Sequence, residues 1–181
     1  MPTSFNYNKK NSYNDFGIIV RKQNTNLLPT KRSNPLTING RNGSYYGNSG
    51  SVYNEMIISL ECICVTKTYD DLHKMKREIA LWLSKDSELE LSDELGKFYK
   101  ARIISEIPME QITSLGRFTI NFVCFPFAMS VPKQDEFIYK KKGQTMSINC
   151  DGTADTPCTI IIKNTGTKPI TNIKITHKKE V

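Results

Sequence analysis

The sequence predicts a mainly β chain of the α+β class, in which one helix crosses the sheets of a β-rich domain. Residues 52–67 and 117–125 alternate apolar and polar side chains with the period of two that strands require. Residues 69–84 instead repeat their apolar side chains with a helical period. These three segments define the expected core, and the remaining elements are shorter and less regular.

The two alternating segments each assign one set of side chains to the core. In residues 52–67 the inward set is Met56, Ile58, Leu60, Cys62 and Cys64. In residues 117–125 the inward side chains are Phe118, Ile120, Phe122 and Cys124. The first segment is long for a strand, so we expect a bend or a bulge within it.

The helical segment presents one apolar stripe. Its members are Leu72, Met75, Ile79, Trp82 and Leu83. Either Thr68 or Asp70 can cap the first turn. The carboxylates of Asp70 and Asp71 suit the positive end of the helix dipole, and Lys85 suits the other end.

Shorter elements complete the expected domain organisation. We expect a flexible N-terminal arm over residues 1–13, a main domain over 14–132 and a linker with a β extension over 133–181. Further strands are expected at 16–22, 36–39, 88–91 and 97–106, and a connecting loop at 108–114. The extension is expected to form two hairpins, 137–142 with 145–150 and 159–163 with 170–176. Two hairpins do not make an independent core, so the extension is interpreted as part of a second domain.

The distribution of charge and of apolar residues argues against a nucleic-acid-binding, a secreted or a membrane-spanning protein. The net charge is +7, but much of the excess is lysine in the C-terminal part, and no arginine follows Arg117. Nucleic-acid grooves usually interleave cations with stacking aromatics, so no nucleic-acid specificity is expected. The first residues lack the apolar core of a signal peptide, and no segment is long enough to span a bilayer.

The five cysteines are expected to be free thiols made in a reducing cytoplasm. They are Cys62, Cys64, Cys124, Cys150 and Cys158. Cys62 and Cys64 share one face of a strand and cannot easily bridge each other. Zinc sites usually show two Cys-x2-Cys pairs, which this sequence does not contain, so no metal site is expected.

Residues with catalytic potential are few. His73 lies on the helix and His177 in the basic tail, without a nucleophile nearby in sequence. The glycine-rich segment 40–50 lacks the Gly-Lys-Ser/Thr sequence of a phosphate-binding loop, so an assembly loop is the better interpretation. Paired carboxylates could serve glycoside hydrolysis, and acidic residues cluster at Asp86, Glu88, Glu90, Asp93 and Glu94. Glu88 and Glu90, however, alternate with Leu89 and Leu91, as on one solvated face of a strand. We therefore expect no catalytic, cofactor-binding or metal-binding residues and no enzymatic activity.

Several short stretches, in this order along the chain, resemble one protein family. They are NDFGI at 14–18, Pro29, INGRNGSY at 38–45, Asp71-Leu72, IALWL at 79–83, LSDE at 91–94, FYKAR at 98–102, GRF at 116–118 and FVCFPFA at 122–128. The series resembles the N-terminal domain of siphophage distal tail proteins. Residues 149–163 and 173–176 resemble the opening strands of the galectin-like domain that follows in that family.

The resemblance implies a fold and a role for the chain. The fold would be a tail-tube-like β-sandwich or split barrel with one helix, and residues 14–132 would form a ring. Six copies would make a baseplate hub at the distal end of a phage tail, joining the tail-tube protein to the tail-tip protein and the receptor-binding apparatus. The protein would reside in the virion tail after assembly in the bacterial host cytoplasm.

Two other functions compete with the ring. A β-sandwich module that binds cell-wall glycans would be a stable monomer that sediments with cell walls. A tail-tube protein would polymerise into long tubes instead of stopping at one ring. The oligomer formed by the purified protein discriminates among all three.

Overall fold

A computed structural model describes residues 3–46, 52–112, 114–138, 144, 147–148, 152–154, 158–171 and 173–176. The chain divides into two units, Met1–Ile138 and Tyr139–Val181. The first unit contains all the strands and helices of the described residues. In chain order they are β1 (Phe5–Tyr7), β2 (Lys10–Asn11), α1 (Ser12–Phe16), β3 (Ile19–Thr25), β4 (Pro35–Thr37), β5 (Ser44–Tyr46), β6 (Met56–Val65), α2 (Tyr69–Leu83), β7 (Ser87–Leu91), β8 (Tyr99–Arg102), β9 (Met109–Ile112) and β10 (Leu115–Cys124).

Eight of the strands form one antiparallel sheet. Its order is β2-β1-β7-β8-β10-β6-β3, and β9 pairs with β10 beside this path. The remaining two strands, β4 and β5, form a separate two-stranded sheet. The predicted fold class, mainly β with helix, is therefore confirmed.

The centre of the sheet is the pair β6–β10. All ten residues of each strand are in register, from Leu115 opposite Val65 to Cys124 opposite Met56. The predicted inward set of each strand is buried, and the alternate positions face away from the core. The bulge expected in the first segment occurs instead in its neighbour β3, where the register shifts between Val20 and Lys22.

The predicted helix forms and packs its apolar stripe on the sheet. Thr68 is the N-cap, and its Oγ1 accepts a hydrogen bond from the Asp71 backbone N–H at 3.2 Å. Leu72, Ile79, Trp82 and Leu83 are buried, and Met75 packs against the core from a half-buried position.

The N-terminal residues differ from the predicted flexible arm. Phe5 and Tyr7 are 1% and 0% exposed, and β1 pairs with β7. The Trp82 indole donates a hydrogen bond to the Tyr7 carbonyl oxygen at 2.6 Å, and its ring stacks on Phe16 with 4.5 Å between centroids. The prediction was wrong because two aromatic side chains among asparagines bury enough apolar surface to hold the segment on the sheet.

Local capping explains why the next element is a helix and not the predicted strand at 16–22. The Asn11 side chain accepts hydrogen bonds from the backbone N–H groups of Tyr13 and Asn14, which starts α1. Gly17, at φ +63°, ends it in the left-handed conformation that glycine adopts without strain. β3 consequently begins only at Ile19.

Three further expectations are corrected. Residues 109–112 of the predicted loop 108–114 form β9, which makes a hairpin with β10. The strand expected at 97–106 is restricted to Tyr99–Arg102. In the second unit, the described residues 158–171 and 173–176 carry no strand, so the second predicted hairpin is not formed. An isolated two-stranded hairpin is marginal in water, which accounts for this. Most of the first predicted hairpin lies outside the described residues.

Replacing Ile79 with aspartate should unfold the first unit. The side chain is 4% exposed in the interface between helix and sheet, and an unpaired buried carboxylate costs several kcal/mol. Ala80→Asp, on the exposed side of the same helix, is the matched control. Urea denaturation followed by circular dichroism should show loss of the transition for Ile79→Asp alone. A native-like transition would mean that the core face is misassigned.

Gly116 should tolerate no side chain. A Cβ at this position would lie 2.9 Å from Cys64 Sγ, 3.2 Å from Met109 Sδ and 3.3 Å from Leu72 Cδ1. Gly116→Ala should therefore cost about 1–3 kcal/mol of unfolding free energy through overpacking. Adding Cys64→Ala removes the closest atom, and the two costs should be less than additive in a double-mutant cycle by urea denaturation. Strict additivity would contradict the proposed contact.

Candidate functional site

The residues singled out for chemistry do not converge. His73 is exposed on α2, where its ring makes an edge contact with Tyr69 at 4.6 Å between centroids. His177 lies outside the described residues. Within the described part of the chain, no three His, Cys, Asp or Glu side chains are placed to share a metal ion. The same residues include no helix with the length and hydropathy required to cross a membrane.

The acidic residues have the exposed arrangement that their alternation predicted. Glu88 and Glu90 point outward from β7, while Leu89 and Leu91 are buried. The Glu90 carboxylate accepts a hydrogen bond from Asn6 at 3.0 Å, and that of Glu94 accepts one from the Tyr99 hydroxyl at 2.9 Å. Burial of Tyr99, together with this bond, raises the pKa of its hydroxyl. The carboxylates therefore act here as surface and structural acceptors.

A shallow depression of about 300 Å³ lies between α2 and the N-terminal turn. Its lining residues are Asn8, Lys10, Glu78, Leu81, Trp82 and Lys85. The Trp82 indole N–H is already bonded to Tyr7, and Lys10 lies 5.1 Å from the centre of the Phe16 ring. These groups hold α1, β1 and α2 together and leave no convergent set of polar atoms for a ligand.

Three cysteines belong to the core of the sheet. Cys62, Cys64 and Cys124 are buried free thiols, and Cys158 of the second unit is exposed. Burial raises the pKa of Cys62 and of Cys124 to about 12, and it also raises the pKa of Cys64. The thiolate, which is the reactive form, is therefore disfavoured at all three positions. Cys150 lies outside the described residues.

An exposed β hairpin lies between β3 and β6 in the chain. We call residues 26–46 and 52–54 the arm. At its root Lys31 pairs with Tyr53, and the Asn54 N–H bonds to the Thr30 carbonyl oxygen at 2.8 Å. Farther out, β4 pairs with β5 from Pro35–Tyr46 to Thr37–Ser44. The arm therefore joins the main sheet at the Met56 end of β6 through an isolated bridge, while β4 and β5 form a sheet of their own.

The arm leaves its apolar side chains uncovered between residues 30 and 46, whereas Pro29 is buried and Tyr53 half-buried at its root. Every residue from 30 to 46 is exposed, including Leu36, Ile38, Tyr45 and Tyr46. Gly40 and Gly43 make the turn at its tip with φ of +83° and +86°. This is the segment that the glycine content marked as an assembly loop, and the structure adds strand β5 within it. Residues 47–50 of the segment lie outside the described part.

Comparison with known proteins assigns this arrangement of sheet, helix and arm to a family. Residues 3–124 match the family described as phage tail protein, RIFT-related domain. The chain belongs to this phage tail protein family. Among solved structures it is similar to the SPP1 Dit protein, with a TM-score of 0.62 and 17% sequence identity. SPP1 Dit is described as a paradigm of the hub adsorption apparatus in phages that infect Gram-positive bacteria.

These similarities confirm the resemblance to siphophage distal tail proteins. The match to SPP1 Dit covers 72% of this chain and 53% of that protein, so the chain spans about half the length of its structural relative. A search of curated proteins gave no match. The protein is thus a phage tail component with the fold of a Dit-like hub protein.

Thiol reactivity should separate the cysteines by location. In native protein at pH 8, maleimide should label Cys158, while Cys62, Cys64 and Cys124 should react only in urea, because burial blocks access and suppresses ionisation. Peptide mass spectrometry after labelling identifies each site. Rapid native labelling of Cys124 would contradict its placement in the core, and a disulfide in fresh non-reduced protein would contradict assembly in a reducing compartment.

Proposed function

We propose that this protein is a non-enzymatic subunit of a closed ring of six copies at the distal end of a siphophage tail. The ring joins the tail-tube protein above it to the tail-tip protein and the receptor-binding apparatus below it. The observation that carries this proposal is the match of residues 3–124 to a phage tail family. The similarity in fold to SPP1 Dit, a protein described as part of a hub, supports the position at the tail tip.

The arm supports a function in assembly. A two-stranded hairpin is marginally stable by itself, yet β4 and β5 pair while all six of their residues are exposed. An extended apolar element of this kind gains stability when it docks on another surface. In a ring built from heterologous contacts, each subunit presents one element and accepts one from its neighbour.

The assembly state tests the proposal directly. The purified chain, alone and mixed with its tail-tube protein, should give six-fold rings by negative-stain microscopy and a hexamer by native mass spectrometry. Monomers under both conditions, with intact tails that lack this protein in a six-fold ring, would reject it. Sedimentation with purified cell walls would then favour the glycan-binding module, and long tubes would favour a tail-tube protein.

Removal of the arm should abolish rings and leave the fold intact. Residues 32–52 can be replaced by a short Gly-Ser linker, since Lys31 and Tyr53 pair across the root of the arm. Because residues 32–46 are exposed and Tyr53 keeps its ring contact with Phe127 at 5.2 Å, the midpoint of thermal unfolding should change by only a few degrees. Native mass spectrometry should then show monomers. A full yield of hexamers from the shortened protein would show that the arm is dispensable.

A further inference from the structure

One end of the main sheet carries an apolar surface on the side away from the core. We call Ile19, Ile63, Val65, Ile112 and Leu115 the far patch. Leu115 lies opposite both Val65 and Ile112, and Ile63 lies opposite Ile19, so the five side chains share one face across four strands. Val65 and Ile112 are 63% and 62% exposed, and the other three are half-buried.

The far patch departs from the usual pattern of a half-solvated sheet. The solvent face of such a sheet is normally polar. The middle of this face follows the rule, with a hydrogen bond of 2.7 Å between Ser59 and Asn121 and an ion pair of 3.6 Å between Lys22 and Glu61. The apolar cluster beyond this polar band is the kind of surface that marks a contact with another molecule.

The arm and the far patch lie at opposite ends of the same strand. The root of the arm lies at the Met56 end of β6, since Asn54 is bonded to Thr30 there, whereas the patch is built around Val65 at the other end of β6. Nine residue steps at the rise of a strand separate these ends by about 30 Å. Leu36 and Val65 are each 63% exposed, so the two apolar surfaces of one subunit do not cover each other.

The apolar face of the arm has the chemistry that the far patch requires. Leu36 and Tyr45 are directly opposite each other on β4 and β5, which places both side chains on one face of the hairpin. Leu36 is 63% exposed and Tyr45 is 51% exposed. An aliphatic and an aromatic side chain on a narrow two-stranded ribbon can cover a cluster of isoleucine, leucine and valine.

We propose that the arm of one subunit docks its Leu36–Tyr45 face on the far patch of a second copy of this chain. The inference rests on the proposed ring and names the surface that closes it. Because each copy has one arm and one patch at opposite ends, every contact is head-to-tail. Closure of the ring leaves no arm and no patch uncovered.

A substitution in the patch tests the acceptor. Ile112→Lys places a charge in the contact, and Ile57→Lys is its matched control, since Ile57 is 52% exposed on the same face at the arm end of β6. By native mass spectrometry, hexamer should fall at least tenfold for Ile112→Lys and persist for Ile57→Lys. Circular dichroism should show that both variants are folded. If Ile112→Lys does not fold, Val65→Lys replaces it.

Mixed subunits test the head-to-tail arrangement. The Ile112→Lys protein keeps its arm, and the arm-deleted protein keeps its patch. An equimolar mixture should give one-to-one heterodimers and nothing larger, because both free ends of the dimer are blocked: one is a patch that carries lysine, and the other has no arm. Hexamers from the mixture, or no association, would overturn the inference.

The outcomes separate this inference from the proposed ring. Absence of rings from the unmodified protein in the presence of its tail-tube partner rejects the ring itself. Rings from the unmodified protein and also from Ile112→Lys and Val65→Lys reject only the patch as acceptor. Loss of rings in Ile57→Lys alone moves the acceptor to the arm end of the sheet. Loss of binding to the tail-tube protein with rings intact assigns the patch to that partner.

Discussion

The pairing of β6 with β10 is the constraint on which the rest of the structure depends. Its ten-residue register assigns every second side chain to the core, where α2 and β1 pack, and exposes the alternate positions on the other face. A slip by one residue would exchange these two faces completely. The hydrophobic core, the burial of three thiols and the far patch all result from this one register.

Much of this arrangement was predictable because it is local in sequence. Alternation assigned the inward sides of β6 and β10, and the helical period with Thr68 as its cap assigned α2. Phe5 and Tyr7 were missed because each is surrounded by polar residues, and their burial depends on β7 and Trp82, about eighty residues away. Only the tertiary structure brings β7 and Trp82 against Phe5 and Tyr7.

The arm and the far patch also differ in how far the sequence predicted them. Glycine content and the absence of a phosphate-binding sequence marked residues 40–50 as an assembly loop, but not the strands that make it part of an extended hairpin. The far patch gave no local signal, since Ile112 fell in a predicted loop and Val65 lay outside the inward set predicted for its segment. Its apolar character arises only when β9 and β10 place Ile112, Leu115 and Val65 side by side.

The attachment of the arm to the ends of β3 and β6 also has a mechanical consequence. A pull on the arm loads the ends of β3 and β6, since Thr25 leads into the arm and Asn54, which is bonded to Thr30, leads out of it toward Met56. The hydrogen bonds of an antiparallel ladder are perpendicular to the strands, so an axial load shears many of them at once instead of opening them one after another. In the proposed ring, a subunit held through its arm therefore meets tension with the ladder between β6 and β10, which is ten residue pairs long.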